Sequence, residues 1–231
     1  MTDKASSSVR NEAWLAAALA AVAGYVDAFG LVRFATFLSF MSGNTTQTGF
    51  RLGQGELAQA APSVVAIAGF VGGVMLGTFV AHSGWRFHER ARFGAVAVLL
   101  AADLALSLAG SPPAVLAIAL ASVAMGMMNT TIARVGGQAV NVGFVTGSLH
   151  QMAAHLAKGI MHRPLPNAEG AWDTHFRRAA LLFGIWAALL AGAAAAGIAA
   201  VRFGEVALVA PLLVLLPVAA FHPPDTEPDD A

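Results

Sequence analysis

Long apolar stretches alternate with short polar loops along most of the chain. Six of these stretches predict transmembrane helices, because about 20 helical residues cross about 30 Å of hydrocarbon. The predicted spans are residues 13–32, 62–81, 93–110, 114–133, 179–201 and 206–221. The pattern is typical of an all-α fold, a polytopic transmembrane helix bundle with about six spans.

Two further segments, 34–50 and 139–156, begin apolar but carry a glycine and a polar cluster near the middle. Unpaired backbone groups and polar side chains are costly in hydrocarbon unless protein or trapped water satisfies them. We therefore expect each segment to be a broken or re-entrant helix inside the bundle, with the breaks at Gly43 and Gly147. The pattern leaves open whether these segments cross the membrane or return to the side they entered from.

The placement of basic residues favours the topology in which both polar segments return to the side they entered from. If both segments return, the N-terminal side carries Lys4, Arg10, Arg86, Arg90, Arg92, Arg134, Lys158, Arg163, Arg177 and Arg178, and the other side carries Arg33, Arg51 and Arg202. If both segments cross, the basic residues divide almost evenly. Short cytoplasmic loops are enriched in Lys and Arg. The charges therefore predict six crossings with both termini in the cytoplasm.

The composition agrees with a membrane location and excludes several classes of function. The chain is 57% hydrophobic and 11% charged, whereas soluble domains are about 25% charged. Thirteen basic and 13 acidic residues leave no basic excess for nucleic acid, and the absence of cysteine excludes disulfides and thiolate chemistry. No Walker glycine loop, Gly-x-Ser-x-Gly or His-Glu-x-x-His motif occurs. We expect no enzyme activity, no cofactor and no metal site.

The two polar segments resemble each other, which predicts an internal repeat. Phe40, Ser42, Gly43, Asn44 and Gln47 align with Phe144, Thr146, Gly147, Ser148 and Gln151 at an offset of 104, and Gly24 and Asp27 align with Gly126 and Asn129 at an offset of 102. The repeats cover about 13–110 and 114–221 of one transmembrane domain, 1–231, with polar tails at 1–12 and 222–231. Three crossings per half would give the halves inverted topology, which is common in transporters with discontinuous helices.

The motifs Gly24-Tyr25-Val26-Asp27-Ala28-Phe29 and Phe40-Met41-Ser42-Gly43-Asn44-Thr45-Thr46-Gln47 resemble the YoaK family of bacterial membrane proteins. The resemblance extends from about Ala13 to Phe221 and is most specific at the Met-Ser-Gly-Asn-Thr run. It implies about six spans in the bacterial cell inner (plasma) membrane, and it implies no established substrate or reaction.

The candidate substrate-binding or pathway residues come from the two polar segments and the polar positions before them. They are Asp27, Ser42, Gly43, Asn44, Thr45, Gln47, Asn129, Thr146, Gly147, Ser148, His150 and Gln151. An ionisable group inside a span tends to face the bundle interior or a wet cavity. Asp27 would therefore exchange a proton or bind a cation, or else bond a neighbouring helix. The Ser, Thr and Asn side chains would line a pathway, or else join helices by hydrogen bonds.

Other residues carry weaker expectations. Asp103 lies within the third predicted span, where a functional role and a structural bond to the backbone or Ser107 both fit. Gly69, Gly73 and Gly77 share one helix face, and small residues at this spacing favour close helix packing within the chain. The histidines in the predicted cytoplasmic loops are expected to be solvated; they are His82, His88, His162 and His175.

These residues favour a transporter or permease for a small solute, coupled to protons or cations through Asp27. The alternatives are a channel or facilitator, a membrane scaffold and an intramembrane enzyme. The expected partners are the lipid bilayer, an unidentified small solute or ion, and a second copy of the chain, because six spans are few for a secondary transporter. The sequence names neither the solute nor the direction of transport.

Overall fold

The protein is helical throughout most of its described length. The computed structural model describes residues 2–110, 112–131, 134–135, 138–139, 145–166, 168, 170 and 172–222, with the backbone alone for 2–8, 134–135 and 138–139. Within them, the helices are α1 (Thr2–Phe34), α2 (Met41–Gly53), α3 (Leu57–Ala81), α4 (His88–Ala109), α5 (Ala114–Met128), α6 (Val145–Ile160), α7 (His175–Phe203) and α8 (Val209–Phe221). Phe144, residues 132–133 and the tail after His222 lie outside the described residues.

Four ranges are long and apolar enough to cross a membrane. They are Val9–Phe34, Leu57–Ala81, His88–Ala109 and His175–Phe221, and Ala114–Met128 is a shorter apolar helix. By length and composition, these ranges agree with the predicted helical membrane bundle. The last range contains two predicted spans, joined by a 3-10 helix, Gly204–Leu208. The short antiparallel pair β1 (Arg134–Val135) and β2 (Gln138–Ala139) was not predicted.

The chain divides into two compact units. Unit 1 comprises Met1–Gly24 and Ile132–Gly192, and unit 2 comprises Tyr25–Thr131 and Ala193–Ala231. Helix α1 contributes residues to both units. Each unit also takes helices from both predicted repeats, because distant segments of the chain pack together.

Close glycine contacts hold α3 against α5 in unit 2. A Cβ added to Gly73 would lie 2.1 Å from the carbonyl oxygen of Val123, and one added to Gly126 would lie 2.1 Å from that of Phe70. The two backbones therefore touch where only glycine fits. The neighbours of Gly69, Gly73 and Gly77 advance along α5 in the same order, from Ala119 to Thr130, so the two helices run parallel. The predicted within-chain packing of this glycine face is confirmed.

Arginines at the start of α4 fix the ends of two other helices of unit 2. Arg92 donates to the carbonyl oxygen of Thr130, just after α5, at 2.5 Å. Arg90 donates to the carbonyl oxygen of His222, just after α8. Guanidinium groups satisfy the carbonyls that a helix C-terminus leaves unpaired. The start of α4 therefore lies beside the ends of α5 and α8, and α4 runs opposite to both.

At the other end of α8, contacts join the 3-10 helix to the second half of α1. The hydroxyl of Tyr25 donates to the carbonyl oxygen of Ala207 at 2.8 Å. Arg33 forms an ion pair with Glu205. Since these contacts involve the last turns of α1, the start of α8 lies near the end of α1.

In unit 1, α1 meets α7 through the same kind of glycine contact. A Cβ on Gly24 would lie 2.1 Å from the carbonyl oxygen of Leu189, and one on Gly192 would lie 2.0 Å from that of Ala21. Each helix thus places a glycine against the backbone of the other. This close approach explains why the run of small residues in α7 has a defined packing face.

Candidate functional site

Helix α1 ends in a sharp turn that sends the chain back along the helix. The amide of Ala35 donates to the carbonyl oxygen of Leu31, and the amide of Thr36 donates to that of Gly30 at 3.4 Å. Ala35 has φ of 52°, the left-handed conformation usual at a helix C-terminus and strained for a residue with a Cβ. A Cβ on Gly30 would lie 2.6 Å from both the Thr36 carbonyl oxygen and the Leu38 side chain. Glycine there makes room for the returning chain.

Asp27 binds this returning chain. Its Oδ1 accepts hydrogen bonds from the amides of Leu38 at 2.8 Å and Ser39 at 2.6 Å, and more weakly from that of Phe40 at 3.3 Å. Its Oδ2 accepts one from the Ser39 hydroxyl at 2.7 Å. These donors immediately precede α2, whose own N-cap residue makes no side-chain cap bond. Asp27 therefore satisfies amides that hydrocarbon would leave unpaired, and its charge complements the helix dipole.

Helix α2 then leads back toward the end of α1. Asn44 is fully buried and bonds both the amide and the carbonyl of Phe37, at 3.1 and 2.7 Å. One turn later, Gln47 donates to the carbonyl oxygen of Ala35 at 3.0 Å and accepts from Ser63 of α3 at 3.0 Å. Residues 35–53 thus form a return hairpin, made of the loop 35–40 and α2.

The expectation that the chain breaks at Gly43 and Gly147 is wrong. Gly43 lies inside α2 and Gly147 inside α6, and the first break falls at 35–40. The α1 turn and the Asp27 carboxylate determine that position. Gly43 serves packing instead, because its Cβ would lie 2.5 Å from the Phe40 ring.

Most polar side chains of α2 form hydrogen bonds within the chain. The hydroxyls of Thr45 and Thr46 donate to the carbonyl oxygens of Met41 and Ser42, four residues earlier. Such bonds let a threonine lie on a helix without exposing an unpaired hydroxyl. Hydrogen bonds within the chain therefore account for Asn44, Thr45 and Gln47, and of these Gln47 joins α2 to α3.

A hollow of about 540 Å³ lies beside the return hairpin. Its lining is mainly aromatic and aliphatic with a few polar groups, and consists of Leu31, Phe37, Phe40, Ser42, Gly43, Thr46, Gln47 and Phe50. Hollows of this size and chemistry hold small ligands in many proteins. Of the predicted site residues, Ser42 contributes mainly to this lining, and Gly43 both lines the hollow and packs against Phe40.

The second set of predicted residues follows the same pattern in α6. This helix begins at Val145, 104 positions after the start of α2 at Met41. Ser148 is buried like Asn44, Gly147 and Gln151 are half-buried, and Thr146 and His150 are exposed. These α6 residues belong to unit 1, whereas Asn129, half-buried at the end of α5, belongs to unit 2 with Asp27.

The expectation that His175 is solvated is wrong. It is 6% exposed, and its Nδ1 lies 2.8 Å from that of His155. Partial burial lowers the pKa of His155; the charges of His175, Arg178 and Lys158 add to this effect, and Asp173 opposes it. The pairing was missed because His155 and His175 lie on opposite sides of a loop whose course the sequence pattern does not reveal.

Three other residues lie outside the sequence-based set of sites. The Asp173–Arg178 ion pair is largely buried beside the start of α7. Asp103 is 1% exposed within α4. Among the described residues, no group of three or more His, Asp or Glu is arranged to hold a metal ion.

These features define a multi-pass α-helical membrane protein whose first candidate span is followed by a return hairpin bound by Asp27 of that span. The chain belongs to the family described as "Protein of unknown function (DUF1275)", whose model matches residues 15–221. This membership agrees with the resemblance to YoaK-type proteins of unknown function.

A curated relative supports the membrane assignment. The chain is 31% identical over 214 residues to the UPF0700 transmembrane protein RA0705 of Rhizobium meliloti (strain 1021). The match covers 91% of this chain and 86% of that protein. No solved structure matches the chain.

Proposed function

We propose that this protein is a transporter or permease for a small solute in the bacterial inner membrane. The observation that carries the proposal is the return hairpin, whose irregular backbone is bound by Asp27 within the candidate span Val9–Phe34. Non-helical backbone at membrane depth is tolerated only where protein or a water-filled cavity shelters it. Transporters use such discontinuous helices to form solute sites.

Helix directions support six crossings. Helices α3 and α5 run parallel, α4 runs opposite to α5 and α8, and α2 returns to the end of α1. With α2 and α6 both re-entrant, the crossings are α1, α3, α4, α5, α7 and α8. Both termini then lie on the side with more Lys and Arg, which is the cytoplasmic side by the positive-inside rule.

Matching glycine contacts support inverted repeats. Gly24 and Gly126, 102 positions apart, each approach a carbonyl oxygen to 2.1 Å, measured from an added Cβ. Their partner helices contribute Gly192 and Gly73, which are 119 positions apart and make the reciprocal contacts. The first helix of each repeat thus packs on the third helix of the other. Such reciprocal packing is expected of two copies of one fold related by a pseudo-two-fold axis.

The hairpin also suggests how protons would act on transport. Asp27 as a carboxylate accepts four hydrogen bonds from the start of the hairpin. A proton on one oxygen turns an acceptor into a donor and weakens that set of bonds. Proton binding at Asp27 would therefore loosen the return hairpin, and proton release would hold it closed.

A transport assay tests the proposal once a solute is chosen. A thermal-shift screen of the purified protein identifies solutes that stabilise the native state, and proteoliposomes then measure uptake of the best one. We expect Ser42→Leu, which fills the hollow, to reduce uptake at least tenfold. Thr45→Leu, exposed on the same helix but outside the hollow lining, is the matched control. Equal uptake by both variants contradicts a solute route through the hollow.

A channel or facilitator is the second candidate, because an aromatic hollow with few polar groups also suits passive conduction. Coupling of uptake to the proton gradient distinguishes a transporter from a channel. A proton-coupled transporter gives uptake that depends on the pH gradient, and Asp27→Asn removes that dependence while leaving exchange without a gradient. A channel gives uptake independent of the gradient in both proteins.

We also propose a homodimer in the bilayer, since six crossings are few for a secondary transporter. Crosslinking in native membranes at low expression should yield a dimer band. A monomer alone, with a crosslinker that joins a known membrane dimer in the same sample, contradicts the proposal.

A further inference from the structure

Asp103 is a buried carboxylate with no hydrogen-bond partner among the described residues. It is 1% exposed, and both carboxylate oxygens are buried and unbonded. It lies on the core face of α4 with Phe93, Val96 and Leu100, which are also buried. The structural bond to Ser107 or the backbone that the sequence left open is not formed.

Among the described residues, no free positive charge acts on Asp103. Glu205 lies near enough to interact with it electrostatically. Arg33, the nearby cation on α1, already pairs with that glutamate. Arg92, three turns away on α4, pairs with Glu89 and bonds Thr130. An ionised Asp103 would therefore stand beside a balanced ion pair and add an uncompensated charge.

The helices packed on α4 add no charge that could compensate an ionised Asp103. Helices α3, α5 and α8 contain no Asp, Glu, Lys, Arg or His. At the first turns of α4, Arg90 bonds the carbonyl of His222 and Glu89 faces the His222 ring. Tyr25 of α1, also titratable, donates its hydroxyl to the carbonyl of Ala207 in the 3-10 helix that packs on α4. Burying an unpaired ionised carboxylate in a low-dielectric interior costs so much free energy that the group binds a proton and becomes neutral.

We propose that Asp103 is a buried proton-binding site, carrying its proton as a neutral carboxylic acid in the resting protein. The proton forms an O–H bond with one carboxylate oxygen on binding and leaves as H⁺ on release, so no other reactant takes part. A metal cation would need several oxygen ligands, and no group of three candidate ligands occurs in the described residues. Glu205, partly exposed in the 3-10 helix, is the group through which this site would exchange protons with solvent.

Infrared spectroscopy of the full-length protein in lipid vesicles tests the site directly. Aspartate labelled with ¹³C at the side-chain carboxyl shifts the bands of aspartic acids and separates them from those of glutamic acids. At pH 7 we expect a protonated aspartic acid band in the wild type. Asp103→Asn, which keeps the shape of the side chain, removes this band, and Asp27→Asn, the matched control in α1, retains it.

Three results would overturn the proposal. They are absence of a protonated aspartic acid band in the labelled wild type at pH 7, persistence of that band in folded Asp103→Asn, and its loss when Na⁺ is added at constant pH. The wild-type measurement needs no variant, so poor folding of Asp103→Asn does not remove the test. The inference goes beyond the proposed function, because the band reports proton binding whether or not any solute is transported.

Discussion

At the scale of single residues, Asp27 replaces the water that the return loop would contact in a soluble protein. Each buried donor left unsatisfied costs about 1–3 kcal/mol, and the carboxylate binds three amides and one hydroxyl. The sequence identified Asp27 as important because placing a carboxylate inside a transmembrane span costs free energy. It did not identify the bonding partners, since these depend on the turn at Ala35.

Replacing Asp27 should separate the structural and electrostatic parts of its role. Asp27→Ala leaves the loop amides unpaired, so we expect it to destabilise the protein by about 3 kcal/mol, which corresponds to about 6–12 °C in Tm for a chain of this size. Asp27→Asn keeps one carbonyl acceptor and should lose less than half as much. Thermal unfolding in detergent measures both changes. An alanine variant as stable as wild type would show that the loop amides have another partner.

The paired histidines of unit 1 should make stability depend on pH. His155 has a lower pKa in the folded protein than the usual value of about 6.5. The unfolded chain therefore binds more protons between these two pKa values, and stability falls as pH falls through that window. We expect Tm to decrease from pH 7 to pH 5 and to decrease less in His155→Gln. His82→Gln, which replaces an exposed histidine, should show the same decrease in Tm between pH 7 and pH 5 as the wild type. Identical pH profiles for all three proteins would contradict this assignment.

At the scale of elements, the sequence predicted that segment 34–50 would be irregular and misplaced its break. A glycine beside polar residues suggested Gly43, but α2 contains Gly43 and the chain breaks at 35–40. The conformation that ends α1 occurs at Ala35, where composition gives no signal because alanine favours helix. The packing of α3 was easier to predict, because small residues at four-residue spacing indicate a contact face directly.

Neighbouring glycines of α3 provide a matched test of that contact. Gly73→Ala drives a methyl group into the Val123 carbonyl, where the backbone must move to relieve the clash. Gly72 has open space at the corresponding position. We expect Gly73→Ala to lower Tm by several degrees, since overpacking costs about 1–3 kcal/mol, and Gly72→Ala to leave Tm unchanged or raise it slightly, since alanine favours helix. Thermal unfolding of both variants in the same lipid compares them. Equal effects would mean that the helices do not touch at Gly73.

At the scale of the whole molecule, helix pairing was the feature least accessible to sequence reasoning. Apolar spans predict that helices cross the membrane, but lipid-facing and buried alanines look alike in the sequence. The contact of α1 with α7 and the contact of α3 with α5 both join segments far apart in the chain. The offsets between the predicted repeats suggested corresponding helices. They did not indicate that α1 would pack on α7 and α5 on α3.

The number of crossings can be tested with single cysteines, because the natural chain has none. With α2 re-entrant, Gln54 lies in the periplasm and Ser83 in the cytoplasm; if α2 crosses, the two positions exchange sides. Both residues are exposed in loops that flank α3. We expect a membrane-impermeant maleimide to label Gln54→Cys and not Ser83→Cys in intact spheroplasts, and to label both after lysis. With the N-terminus in the cytoplasm, labelling of Ser83→Cys alone before lysis would contradict six crossings, and α2 would then have to span the bilayer despite its hydrogen bonds to the end of α1.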